Sequence, residues 1–383
     1  MTAVRPAWIL PETRYDFGDG HPMAPGRVHN TIRLATALGV LDLFDHVPAE
    51  PLDEALLRQV HTSDYIAAVR SGEPHPELGL GTVDNPIVPG LDEIARNVAA
   101  GTVEAARQVW RGPYRRAVNI AGGLHHAMPG ATSGFCVYND IGCAIEWLLA
   151  HGCERVVYLD VDAHHGDGVQ AIFADEPRVV TISLHQTGAE LFPGTGYAHE
   201  TGGGDAVGTA VNVALAGGTD DAGWLRAFDA VVPEVLAEFA PQVIVSQHGC
   251  DSHRLDPLTD LQLSVEGQQA SYQMIADWAD EYADGRWVAV GGGGYAVTSV
   301  VPRAWTHLLA VMAGAPLDPA TPIPDAVRAE LGTRLPPTMG DLAGEPVAWR
   351  STRSGWDPAS RLDQTVLATR KAAFPDLGLD PEF

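Results

Sequence analysis

The stretch RVVYLDVDAHHGDG, residues 155–168, decides the fold. Its first half is an unbroken apolar, β-branched run, which suits a strand buried on both faces; its second half is crowded with acids and histidines. Five more runs of the same kind occur at 117–120, 179–184, 211–215, 243–246 and 288–290. Helical patterns lie between them. In 92–110, Ile94, Val98 and Val103 share one side, and in 223–239 Trp224, Phe228, Val231 and Val235 do the same. Continuous apolar strands alternating with helices predict an α/β fold of three layers, a mostly parallel central sheet with helices on both faces. No internal repeat is present. Residues 313–355 are rich in Pro and Gly with weak periodicity, so the organisation expected is a main domain over 1–313 and a C-terminal extension over 314–383. That extension should end in a helix with Asp357 as N-cap and Leu362, Val366 and Thr369 on its packing face.

The unusual residues fall where the strands end. Gly122-Gly123-Leu124-His125-His126 follows the first run, Asp160 to Asp167 the second, and Ser183-Leu184-His185 closes the third. Gln247-His248-Gly249-Cys250-Asp251 follows the fifth and Gly291-Gly292-Gly293-Gly294-Tyr295 the sixth. Open parallel sheets bind ligands beyond the carboxyl ends of their strands, so these clusters should converge on one rim. Asp162 and His164, two apart on an extended segment, project to one side and could share a metal. In isolation such a pair reads first as a structural hydrogen bond; beside four other polar strand ends the metal reading prevails. Asp251 is the best-placed third ligand, and a mixed N/O set of three with an open fourth position admits Zn²⁺, Fe²⁺ or similar ions. Asp160 and Asp167 flank these ligands and could each bond an imidazole of His125 or His126, giving two His–Asp dyads suited to general acid and base work. Tyr295 follows four glycines, whose freedom would let its phenol swing towards a carbonyl and stabilise an oxyanion.

Composition narrows the chemistry further. There are 24 Lys+Arg against 49 Asp+Glu, a formal charge of −25 that repels nucleic acids and anionic membrane surfaces. Lys371 is the only lysine, which nearly excludes Schiff-base or phosphate-binding lysine chemistry. Neither a G-x-S-x-G elbow nor an H-E-x-x-H helix is present, and the glycine runs do not match a dinucleotide fingerprint. Metal-assisted hydrolysis is left. Four unpaired cysteines, no apolar run of about 18 residues, and no signal-peptide apolar core in residues 1–15 point to a cytoplasmic protein.

With these residues in view, the chain resembles the histone deacetylase family, and within it the bacterial acetoin-utilization type. The resemblance runs from about residue 16 to 309. It is carried by HPMAPGR (21–27), HTSDY (61–65), GGLHHA (122–127), SGFCVYND (133–140), DVDAHHGDG (160–168), FPGTG (192–196) and GGGGY (291–295). It implies an arginase/deacetylase fold and hydrolytic removal of acetyl groups from amines. It carries zinc onto Asp162, His164 and Asp251, the general base to His126, an electrostatic proton-shuttle role to His125, and carbonyl polarisation to Tyr295. Phe135 and Phe192 would wall a narrow tunnel, the Gly134 carbonyl would accept from the substrate amide, and Asp84 would grip a peptide backbone at the rim. Arg27 would line an internal acetate channel, and Asp160, Asp162, His164, Ser183 and Leu184 would surround a structural K⁺ or Na⁺.

Two-manganese ureohydrolases share this fold, but Gly166 and His253 stand where a second metal would need acids, so one catalytic metal is expected. Leu258 stands where polyamine-selective relatives can carry an acidic gatekeeper. That favours acetyl-lysine in a protein or peptide, with acetyl-CoA synthetase as the partner expected of the acetoin-utilization group. Acetylpolyamines or other small acetyl-amides, and a silent acetyl-lysine binder, are the alternatives.

Overall fold

Backbone alternation divides the apolar runs between two cores. On strand Val156–Asp160, Val157 and Leu159 join one buried cluster while Val156 and Tyr158 join another, so the strand is covered on both faces. The computed structural model of the chain describes residues 5–10, 15–18, 20–332, 334–342, 345 and 347–382. Residues 1–4 and 11–14, on which much of the expectation of no signal peptide rests, lie outside the described residues.

Eight strands form the sheet among the described residues: β1 (Ala7–Trp8), β2 (Asp45–His46), β3 (Arg116–Asn119), β4 (Val156–Asp160), β5 (Val179–Gln186), β6 (Ala210–Leu215), β7 (Val243–Gln247) and β8 (Trp287–Val290). Their order is β2-β1-β3-β8-β7-β4-β5-β6, and every pairing is parallel. The six expected strands are all present. β1 and the edge strand β2 are additional, of two residues each, too short for any periodicity to show. The register levels the carboxyl ends: Asp160 faces Gln247 and Ser183, Gln247 faces Val290, and Val290 faces Asn119. The clusters that follow β3, β4, β7 and β8 therefore leave the sheet at one height, whereas β5 stays paired with β6 as far as Gln186, so Ser183-Leu184-His185 lies inside the strand and does not close it.

The helix over Leu91–Trp110 packs on Asp140–Ala150 on one side of the sheet, and Asp221–Phe239 packs on Val265–Tyr282 on the other. Asn139 caps Asp140–Ala150, its side chain accepting from the Gly142 N–H. Asp140, in the first turn, takes the N–H groups of Gly123 at 2.9 Å and Leu124 at 2.7 Å, fixing the turn that carries His125 and His126.

The Pro/Gly-rich stretch is more ordered than its weak periodicity suggested. A short helix over Asp325–Leu331 buries Val327 and Leu331 with Leu34, Ile323, Leu335 and Met339 in a small apolar cluster. The terminal helix spans Arg361–Ala373, and its N-cap is Ser360, whose side chain accepts from the Asp363 N–H. Asp357, expected as that cap, instead accepts from the Ala359 N–H and shapes the preceding turn. Val366 and Phe374 enter the main core, and the Thr369 hydroxyl donates to the Asn212 carbonyl on β6.

Asp341 is the polar anchor of this region. It accepts from His253 Nε2 at 2.6 Å, the Val265 N–H at 3.0 Å and Arg303 Nη1 at 2.8 Å. Burial alone would raise its pKa, but the His253 bond and the Arg303 charge hold it well below the usual carboxylate range. Because Arg303 and His253 are buried too, Asp341→Ala leaves a guanidinium without its counter-charge, and a loss of about 3 kcal/mol is expected in denaturant unfolding. The pKa is lowered on folding, so this stabilisation is complete above the unfolded value of about 4 and fades as pH falls below it. A loss under about 0.5 kcal/mol would show that the extension is not integral to the folded unit.

Candidate functional site

Asp162, His164 and Asp251 are buried and converge beyond the ends of β4 and β7. One ligand atom from each lies within 4.8 Å of the others. His164 Nδ1 is 3.0 Å from both Asp162 Oδ1 and Asp251 Oδ2. The surroundings fix these atoms. The Gln247 amide and the Gly293 N–H each donate to Asp162 Oδ2 at 2.7 Å, and the Ala163 N–H donates to Asp251 Oδ1 at 2.9 Å. Burial lowers the proton affinity of His164, yet the two carboxylates outweigh it and push the pKa to about 10. A centre that attracts a proton this strongly suits a divalent cation, and an imidazole between two carboxylates matches borderline ions such as Zn²⁺ or Fe²⁺.

The two histidines beside this centre differ. His125 Nδ1 lies 2.7 Å from Asp160 Oδ2, which also accepts from the Tyr158 hydroxyl at 2.5 Å. His126 Nδ1 lies 2.7 Å from Asp167 Oδ1. Burial opposes charge on both rings. At His125 the Asp160 and Asp162 carboxylates overcome it, raising the pKa to about 9. At His126 burial and the neighbouring His125 prevail over Asp167, lowering it to about 4. The carboxylate bond assigns the Nδ1 proton of His126 and leaves Nε2 as the free acceptor. Burial and the Asp251 charge push the Tyr295 phenol well above its ordinary pKa, so it is a proton donor.

Phe192 packs edge-on to His126 with ring centroids 5.0 Å apart, and Phe135 to Tyr295 at 5.9 Å. Gly134 stands where a side chain would overlap the His126 ring, and its φ of +50° suits glycine. Asp84 is exposed in a surface groove shared with Phe17, His21 and Phe135, and Leu258 is partly exposed near Tyr295. Arg27 is buried: its guanidinium lies 5.5 Å from the Tyr295 ring centroid and 5.3 Å from that of Trp305, and it donates to the Gly292 carbonyl. Its Nε is buried without a hydrogen-bond partner, and the residue lines a cavity of about 250 Å³ together with Tyr15, Met23, Leu124 and Trp305. Ser183 Oγ is engaged by His185, and the Leu184 side chain lies in the core, so Leu184 could offer a cation only its carbonyl.

The four glycines before Tyr295 are not a flexible run. All are buried, and a Cβ at Gly293 would overlap the Asp251 carboxylate while one at Gly292 would overlap the Gln247 amide. Close backbone approach to the metal-facing acids, not freedom to swing, requires glycine here. Gln247, Tyr158, Asp140 and Asp256 support the site without having been assigned roles from sequence. Their signal was weak because each acts through partners distant along the chain; only their places beside the polar strand ends hinted at it.

The histone deacetylase domain model matches residues 21–312. The acetoin utilization protein AcuC of Bacillus subtilis (strain 168) is 42% identical over 317 residues, covering 81% of this chain and 81% of that protein. AcuC of Staphylococcus xylosus is 34% identical over 79% of this chain and 80% of its own length. Among solved structures, a histone deacetylase homologue from Aquifex aeolicus superimposes with a TM-score of 0.80 at 26% identity, over 95% of this chain and all of that one. A deacetylase homologue complexed with SAHA gives 0.81 at 27% identity, over 96% of this chain and all of that one.

If Asp162, His164 and Asp251 hold one cation, the purified protein should bind about one equivalent of zinc. Asp251→Asn should weaken that affinity at least about 100-fold, as read by competition with a chromophoric chelator. Two equivalents bound with similar affinity would contradict a single centre.

Proposed function

The chain belongs to the histone deacetylase family, and from that premise we propose that this deacetylase removes acetyl groups from lysine side chains of proteins or peptides. The observation that carries this reading is the convergence of Asp162, His164 and Asp251 beside two His–Asp pairs of opposite proton affinity. The metal is zinc, or iron in the cell. Held by those three residues, it supplies Lewis acidity towards water and the acetyl carbonyl.

The chain's own groups do the remaining work. His126, neutral and with Nε2 free, takes a proton from the attacking water, while Asp167 holds its tautomer. His125, paired with Asp160, stays cationic and favours the negative charge that develops on the carbonyl oxygen. The Tyr295 phenol donates a hydrogen bond to that oxygen. Water adds to the acetyl carbon, the C–N bond breaks, and the amine leaves with a proton returned from the histidine pair, giving free lysine and acetate. Phe135 and Phe192 wall the alkyl chain, the Gly134 carbonyl accepts from the side-chain amide, and Asp84 grips the peptide backbone. The apolar collar at Leu258 offers no partner for a second distant cation, which favours lysine over a polyamine. Acetate leaves past Arg27, which lines the adjoining cavity and has an unpartnered Nε–H.

A K⁺ or Na⁺ would sit among Asp160, Asp162, His164, Ser183 and the Leu184 carbonyl. The physiological partner on this reading is an acetylated metabolic enzyme such as acetyl-CoA synthetase, in the cytoplasm and linked to acetoin use. Four buried free thiols suit that compartment. The helices among the described residues include none long and apolar enough to cross a membrane. Residues 314–383 brace the catalytic domain of 1–313.

Turnover of an acetyl-lysine peptide should exceed that of acetylspermidine, and a chelator should abolish both. His126→Ala and Tyr295→Phe should each lower kcat about 100-fold or more. Acetylspermidine greatly outpacing the peptide would overturn the substrate assignment, and peptide turnover after complete metal removal would overturn the mechanism.

A further inference from the structure

The phenol of Tyr295 must be held at a fixed place, yet the segment leading to it has no side chains with which to hold it. Gly291 to Gly294 are held only through their backbone atoms: the His248 N–H donates to the Gly291 carbonyl at 2.9 Å and the Cys250 N–H to the Gly293 carbonyl at 2.9 Å, while the Arg27 guanidinium donates to the Gly292 carbonyl and the Gly293 N–H to the Asp162 carboxylate. Gly292 and Gly294 have φ of +149° and +132°, where glycine is at its most permissive. At Tyr295 itself the constraint is a side chain from another loop. Asp256 Oδ2 accepts from the Tyr295 N–H at 2.7 Å, and its other oxygen accepts from the Leu258 N–H at 3.0 Å. Asp256 is 8% exposed. One buried carboxylate therefore ties the backbone of Tyr295 to that of the partly exposed Leu258.

We infer that Asp256 is a positioning residue, whose carboxylate sets the register of Tyr295 and so aims the phenol at the acetyl carbonyl oxygen. This rests on the reading of Tyr295 as the oxyanion donor. A carboxylate accepting a backbone N–H makes a strong, short bond, and the buried glycines upstream carry no side chain that could replace it. Asp256 touches neither substrate nor metal on this view; it acts through Tyr295.

A double-mutant cycle on an acetyl-lysine peptide tests the inference, with kcat expressed per bound metal and thermal unfolding followed in parallel. Asp256→Ala should lower kcat about 10- to 100-fold, as expected for a displaced catalytic group, and change KM less. Added to Tyr295→Phe it should cost less than about 3-fold more, because the group it positions is already gone. Asp256→Asn, whose amide oxygen can still accept the Tyr295 N–H, should recover most of the loss. Multiplicative losses in the double variant would overturn the inference. So would a lowered melting temperature with unchanged kcat per metal, or a raised KM alone, which would confine Asp256 to the collar. Failure of the underlying reading shows separately, as a Tyr295→Phe single variant with wild-type kcat.

Discussion

Two carboxylates that face one another out of water form the constraint on which this molecule depends. Asp162 and Asp251 are fully buried, and Asp160 beside them is as well. Desolvating each anion costs several kcal/mol, and their mutual repulsion adds to that. Arg27 is the buried guanidinium of the neighbourhood, but it spends its reach on the Gly292 carbonyl and the Tyr295 and Trp305 rings. Backbone N–H groups and the Gln247 amide relieve part of the charge, and a proton on His125 relieves more. A cation between the acids and His164 removes the rest. The parallel register is what brings the acids together, since it levels the ends of β4 and β7, and Gly249 and Gly293 make room where any side chain would overlap a carboxylate.

The same field separates the roles of two residues adjacent in sequence. His125 and His126 each have a carboxylate at 2.7 Å, so their partners alone do not distinguish them. What differs is the second neighbour. His125 lies 3.9 Å from Asp162 and stays charged, whereas His126 lies against that charged ring and the Phe192 face and stays neutral. A charged and a neutral imidazole thus arise from one dipeptide because one side of it faces the anions and the other faces an aromatic wall.

This explains which parts were legible in the sequence. The six long strands and the polar clusters at their ends announce themselves, because apolar runs ending in acids and histidines have few other uses. The two-residue strands Ala7–Trp8 and Asp45–His46 carry no such signal; pairing of the first with β3 and of the two with each other makes them strands. The glycine run was visible but its reason was not, since a requirement for close approach and a requirement for freedom leave the same residues. Ser360 rather than Asp357 caps the last helix, for either is a sound cap and only the chain's path selects one. Gln247 and Asp256 escaped because neither belongs to a pattern: an amide and an acid whose partners lie 85 and 39 positions away are invisible until the backbone is folded.

The loop from Asp251 to Asp256 sends its other polar side chains away from Asp251. Here His253 turns away from the centre and bonds Asp341, and that carboxylate in turn takes Arg303. At Gly166 a side chain would run into Asp160, the carboxylate that holds His125. His253 and Gly166 therefore serve two other tasks: seating the segment around Asp341 on the loop, and leaving room for the carboxylate that holds the charged histidine. With Asp256 turned towards the Tyr295 backbone, the loop offers Asp251 alone to the centre. An added acid at 166 would not recreate a second site, because His253 would still face Asp341 and Asp160 would still face His125.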